Sequence, residues 1–273
     1  MMPQSLAVGS PEHRELLCRF FLDSHVAFDP TTMRWPELDG ERLAQLRRLP
    51  FWAEALATER MTARTIQAWA RLQTDPLLHE AIALQAYEEQ RHADLLQGLT
   101  THYEIPIPPL TQPRSPVDPE WAFLCTGYSE CCDAFFTFGL FMLARDSGFF
   151  PPALIECFEP VMQEEARHIL FFVNWEAYYQ ARQPFWQRPR HLWRGVLGRG
   201  LQLWHRLQMA RGIRQQGDFT LRGHESLPTA VSPRQFLRLC LSENERRLGG
   251  YDGRLLRPRL VPGLASALAW ILH

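Results

Sequence analysis

The chain has 273 residues, with 29 basic and 30 acidic side chains and a formal net charge of −1, and every basic residue is arginine. The absence of lysine excludes Schiff-base, pyridoxal-phosphate and P-loop lysine chemistry, and the charge balance excludes a nucleic-acid binder that works by global charge. Hydrophobic residues make up 46% of the chain and aromatic residues 12%, the composition of a folded protein with a sizeable core.

Apolar residues recur at helical spacing between proline and glycine breaks, and no alternating strand-like run appears. The pattern predicts helices over 11–26 and 36–48, then a long helix over 51–73. A second long helix begins with Pro76 in its first turn and runs to 101. Segment 105–119 carries six prolines and reads as a crossover. A third long helix is predicted over 119–145, and a fourth from 151 to 183 with a kink at Pro160. The expectation is an all-α fold of two helical hairpins joined by one long crossover, the connectivity of a ferritin-like four-helix bundle. The chain is read as one domain over 1–273, with its bundle core at 51–182 and a helical extension at 183–273.

Two segments resemble each other: Glu88-Glu89-Gln90-Arg91-His92 and Glu164-Glu165-Ala166-Arg167-His168. Each contains Glu-x-x-His, which sets a carboxylate and an imidazole one turn apart on one helix face. The motif alone is weak; its position strengthens it. Glu89 lies 13 residues after Pro76, and Glu59 lies 14 before Gln73, so an antiparallel hairpin sets them at nearly one height. Glu165 lies 14 residues after Pro151 and Glu130 lies 15 before Arg145, which repeats the arithmetic. Around these residues the helix faces are apolar, as in Leu154, Phe158, Val161, Glu165, His168, Phe172 and Trp175. Unpaired carboxylates in such a stripe cost several kcal/mol each or take up protons, and cations offset that cost. Oxygen and imidazole donors suit iron or manganese. The competing reading is a metal-free bundle whose core acids pair with histidine and arginine, with Glu88–Arg91 and Glu164–Arg167 as local ion pairs.

The pattern Glu59, Glu89-x-x-His92, Glu130, Glu165-x-x-His168 resembles that of the ferritin-like di-iron carboxylate proteins, over residues 51–182. The resemblance implies two iron ions, or a manganese–iron pair. Glu59 and Glu130 would bind one ion each, Glu89 and Glu165 would bridge or chelate, and His92 and His168 would each give one nitrogen. It implies O2 as co-substrate in members that oxidise organic molecules. The expectation is therefore an O2-dependent oxidase or oxygenase acting on a small, largely apolar substrate; a non-catalytic iron-handling protein is the alternative. Phe135, Phe136, Phe138, Phe141, Phe171 and Phe172 suggest an apolar pocket at the site level. Ala134 stands where bacterial multicomponent monooxygenases place threonine, and no four-cysteine iron site of the rubrerythrin type is present. Tyr87 and Tyr128 lie two residues before a ligand glutamate and are expected to face away from it.

Between Ala177 and Gly217 there are eight arginines and no acid, with Trp193, Leu197, Leu201, Trp204 and Leu207 at helical steps. The expectation is an amphipathic helix packed by its apolar stripe, with an arginine rim in solvent over 182–214. Such a rim would dock an acidic electron donor, a carrier protein or an anionic membrane surface, since no flavin or nicotinamide motif appears. A homodimer is also open. The apolar stretch 260–272, interrupted by Pro262, is too short to span a bilayer and is expected to pack on the core, with an interfacial or oligomer-packing helix as the alternative. Six cysteines without CxxC spacing and an N-terminus without signal-peptide features lead to the expectation of a reducing cytoplasmic setting.

Overall fold

The computed structural model describes residues 6–112, 114–210 and 231–272, and these residues are all-α, with no strand among them. Several helices begin where the sequence supplies caps. In α1 (Pro11–Asp23) the Ser10 side chain accepts the His13 N–H, and Pro11 fills the first turn, where its missing N–H costs nothing. A short α2 (Gly40–Arg48) starts later than the periodicity predicts, because Asp39 caps it by accepting the Arg42 N–H. Two long helices follow, α3 (Trp52–Ala70) and α4 (Pro76–His102), joined by the link 71–75 and packed along each other. Asp75 caps α4 by accepting from the backbone of Leu77 and Leu78. The same carboxylate takes Arg14 at 2.6 Å, which ties α1 to this turn.

The crossover leads to α5 (Pro119–Asp146), which packs against α3 and α7. The predicted fourth helix is two helices, α6 (Pro152–Glu156) and α7 (Glu159–Arg182). The expected kink is a complete break. A proline ring clashes with the carbonyl four residues back, here that of Glu156, so α6 ends at Glu156 and α7 restarts with Pro160 in its first turn. Leu17, Phe21, Ile66, Ile82, Phe123, Phe171 and Trp175 form the main core between α1, α3, α4, α5 and α7. At α5 and α7 the backbones come close: a Cβ at Gly127 would stand 2.2 Å from the Phe172 ring.

The extension corrects two expectations. Helix α8 (Arg188–Ala210) packs on α5 and α7, but with its polar face inward. Arg194 pairs with Asp118 at 2.7 Å, Arg199 with Glu176 at 2.6 Å and Arg206 with Asp133 at 2.5 Å. Trp193 and Trp204 are 61% and 53% exposed, and Val196, Leu197 and Leu201 share their outward face. The physical reason is the demand from below. Buried Glu176 needs a cation, which an apolar face cannot give. Gly198 allows the approach, since a Cβ there would stand 2.7 Å from Tyr128. So Arg199 and Arg206 do not form the solvated rim expected of them. Of that stretch, the Leu207 side chain, Arg211 and Arg214 lie outside the described residues.

Further on, α9 (Pro233–Gly249) packs on α5, sealing Phe236 and Cys240 against Phe135. The last helix, α10 (Leu260–Ile271), was expected in the core. It buries only Ala265 and Ala269 and leaves Leu264, Leu268 and Trp270 exposed. No described helix is long and apolar enough to cross a membrane. The six cysteines are free thiols.

Candidate metal centre

The link 71–75 places Glu59 of α3 beside Glu89 and His92 of α4, and α7 brings Glu165 to the same level. One ligand atom from each of these four lies within 4.8 Å of all the others. His92 Nδ1 is 3.2 Å from Glu165 Oε1, 3.6 Å from Glu59 Oε2 and 3.9 Å from Glu89 Oε2. His168 joins through its own Nδ1, 2.9 Å from Glu89 Oε1 and 4.0 Å from Glu165 Oε2. Glu130 of α5 lies beside Glu165, near enough for each carboxyl group to shift the other, and both line the same cavity. All six residues named from the sequence therefore meet at one level, with Glu89 and Glu165 between the two imidazoles. Tyr87 is exposed, and the Tyr128 hydroxyl donates to Glu176 at 2.5 Å, so neither phenol joins the group.

The local ion pairs expected within each motif are replaced by crossed ones. Arg167 Nη1 and His168 Nε2 both donate to Glu88 of α4, each at 2.8 Å. Arg91 and His92 Nε2 both donate to Glu164 of α7, the latter at 2.9 Å. Residues three apart on one helix are neighbours, but here the arginines turn across the interface and neutralise the acid of the other motif. His25, which the sequence did not single out, adds a third contact to Glu88 at 2.5 Å. The only signal for this outer layer was the repeated glutamate and arginine of the two motifs.

Charge in this core is unbalanced. Burial and the neighbouring carboxylates push Glu89 up to about 8 and Glu130 well above the usual carboxylate range. Burial opposes the imidazolium of His168, but the charge of Glu89 and the hydrogen bond to Glu88 outweigh it and push the group to about 10. Burial likewise opposes ionisation of Glu88, yet His168 and Arg167 hold it at about 2. Glu89 and Glu130 are thus pushed towards holding protons. Burial also opposes ionisation of Glu165, but the hydrogen bond to His92 and the charges of His168 and His92 hold it below the usual carboxylate range, and the outer Glu88 stays ionised. Glu89 Oε1, His92 Nδ1 and His168 Nδ1 are buried and make no hydrogen bond. Once the imidazoles give up a proton, these atoms are unpartnered buried acceptors aimed at one point, which is what a cation satisfies as it displaces ligand protons. The donor set fits metal ions that favour carboxylate oxygen and imidazole nitrogen.

No protein-family model matches the chain. Compared with curated proteins and with solved structures, it gives no significant match to either.

A cavity of about 620 Å³ opens on Glu59, His92, Glu130 and Glu165. From there it runs along one face of α5, past Ala134, Thr137 and Phe141 to Ala144, and is lined on its other sides by Trp52, Leu99, Leu154 and Phe158. At 1.5 Å per residue, the stretch from Ser129 to Ala144 is roughly 22 Å long. Of the six phenylalanines expected around a pocket, only Phe141 lines it; Phe138, Phe171 and Phe172 belong to the main core, and Phe135 and Phe136 pack towards α9. The aromatic walls come instead from Phe51, Phe150 and Phe158, supplied by α3 and by the region of α6 that the broken helix creates. Ser129, Asp133, Gln202, His205 and Arg206 form its polar end.

Proposed function

We propose that the chain is a ferritin-like di-iron carboxylate oxidoreductase that uses O2 to oxidise a small, largely apolar organic substrate. In this reading α3, α4, α5 and α7 are the four-helix bundle. Glu59, Glu89, His92, Glu130, Glu165 and His168 hold two metal ions. The observation that carries it is the apolar cavity ending on the carboxylate–histidine group, because an iron-handling centre has no use for an apolar chamber of that size. Two iron ions held there would supply the binding and reductive cleavage of O2.

The chain's own residues do the rest. Nε2–H of each histidine is fixed on a carboxylate, so on losing its other proton each ring would turn the Nδ1 lone pair inward. Glu59 and Glu130, half-buried, form the floor of the cavity where a substrate would lie against the centre. Leu99, Phe141, Leu154 and Phe158 give it apolar walls against which such a substrate would pack.

The test is anaerobic titration with ferrous iron, followed by O2 uptake and product analysis with chain-like apolar candidates. Binding of two ions per chain and an oxygenated or desaturated product support the proposal; bound manganese beside iron would identify the mixed pair. O2 uptake that ends when ferrous iron is spent, with no organic product, assigns the chain to iron handling. Fewer than about one metal ion per chain removes both readings.

A further inference from the structure

Helix α8 is amphipathic in an inverted sense. At 100° per residue, Arg194, Gly198, Arg199, Gln202 and Arg206 fall on one arc, which is the arc that meets α5 and α7. Trp193, Val196, Leu197, Leu201 and Trp204 fall on the opposite arc and are exposed. Trp186, in the turn just before the helix, is exposed as well. A run of large apolar side chains turned to water along about three turns of helix marks an interaction surface rather than scattered exposure.

The charges around this face indicate the partner. Arg182, Arg188 and Arg190 are exposed at its N-terminal end, and no carboxylate occurs in the sequence between Ala177 and Gly217. Tryptophan and leucine on one side, with arginine at the margin, is the composition of helices that lie in the plane of a bilayer interface. There the indoles reach the boundary of the acyl chains, and the guanidinium groups meet anionic headgroups. The polar face, which such a helix normally shows to water, is here held by acids of the protein's own bundle. The helix is thereby fixed with its apolar side outward.

We propose that α8 docks the protein on an anionic lipid surface, lying in the interface without crossing the bilayer. The position of the cavity agrees with this. Gln202, His205 and Arg206 line its polar end from the inward arc of the same helix, so docking would bring that end to within one helix diameter, roughly 10 Å, of the lipid. An apolar substrate would then enter from the membrane.

Co-sedimentation of the full chain with vesicles tests the proposal independently of any catalytic activity. The vesicles are phosphatidylcholine alone, or phosphatidylcholine with about one third phosphatidylglycerol. The expected result is binding about tenfold or more tighter to the anionic vesicles, weakened by salt. The double substitution Trp193→Glu with Trp204→Glu, both on exposed positions, should reduce binding at least about tenfold with the helical circular dichroism unchanged. Arg182→Glu with Arg190→Glu should remove the preference for anionic lipid. Equal partitioning into both vesicle types overturns the proposal. So does a monomer–dimer equilibrium without vesicle binding that the Trp193→Glu/Trp204→Glu chain abolishes, since the face would then join two copies of this chain.

Discussion

His92 Nε2 lies 2.9 Å from Glu164 Oε2, and the other oxygen of that carboxylate is held by Arg91, the residue before His92. The relation repeats with His168, Arg167 and Glu88. Each Arg-His pair thus clasps the first glutamate of the other motif. A carboxylate held by guanidinium can only accept, so Nε2 carries the proton and, in the neutral ring, Nδ1 presents its lone pair to the inner acids.

That relation predicts the effect of Glu164→Gln. The side chain keeps its size, but the amide no longer fixes which nitrogen of His92 is protonated. Metal affinity should fall about 10- to 100-fold, measured by competition with a chromogenic chelator, while thermal unfolding of the metal-free chain confirms an intact fold. Unchanged affinity would remove the orienting role given to Glu164.

Filling the cavity should separate substrate binding from metal binding. Thr137 lines the chamber two turns from Glu130 and does not touch the carboxylate–histidine group. Thr137→Trp should leave the metal stoichiometry as it is and change stability by about 1 kcal/mol or less, since the ring enters empty space rather than a packed core. Oxidation of organic substrate should drop at least about tenfold. A variant that turns over normally would place the substrate elsewhere.

Helical periodicity explains why the inner six residues were legible in the sequence. Height along a hairpin is arithmetic from its turn, and a polar residue on an apolar stripe announces its own burial. The outer contacts were not legible, because whether Arg167 pairs with Glu164 on its own helix or with Glu88 on α4 depends on the distance between helices. Local spacing favours the former; the fold chooses the latter. The facing of α8 was hidden for a related reason. Its hydrophobic period is correct, but which arc turns inward was decided by Glu176 and Asp133, residues on other helices. The break before α7 could be read only as far as Pro160 itself, and the wall of the cavity that it supplies could not.

Asp75 gives a pH-dependent contribution with a definite sign. Burial opposes its ionisation, but the N–H of Leu78, the Arg14 pair and the N–H of Leu77 outweigh that and lower its pKa. A lowered folded-state pKa means that the stabilisation is complete above the unfolded value of about 3.9 and is lost as pH falls through the folded value. Asp75→Ala should therefore cost about 1–2 kcal/mol at neutral pH. The difference from the parent chain should shrink steadily below about pH 4, read from urea unfolding midpoints across the acid range. A difference constant with pH would mean that the charged cap contributes nothing.

The orientation of α8 can be tested by two substitutions with opposite expectations. Arg199 makes two hydrogen bonds to Glu176, at 2.6 and 2.7 Å, and its guanidinium lies over the Tyr128 ring at 4.5 Å. Arg199→Glu sets a second carboxylate against the nearly buried Glu176, and the loss should be about 3 kcal/mol or more. Trp193, on the outward arc, contributes little to the fold of the isolated chain, so Trp193→Ser should lie within about 0.5 kcal/mol of the parent. An inward apolar stripe would reverse both results: truncating a buried tryptophan costs about 3–5 kcal/mol, whereas reversing a solvated arginine costs almost nothing. Urea unfolding of the two variants, in the absence of lipid, decides between the orientations. A large loss from Trp193→Ser with a small one from Arg199→Glu would refute the inverted helix and, with it, the membrane face built on it.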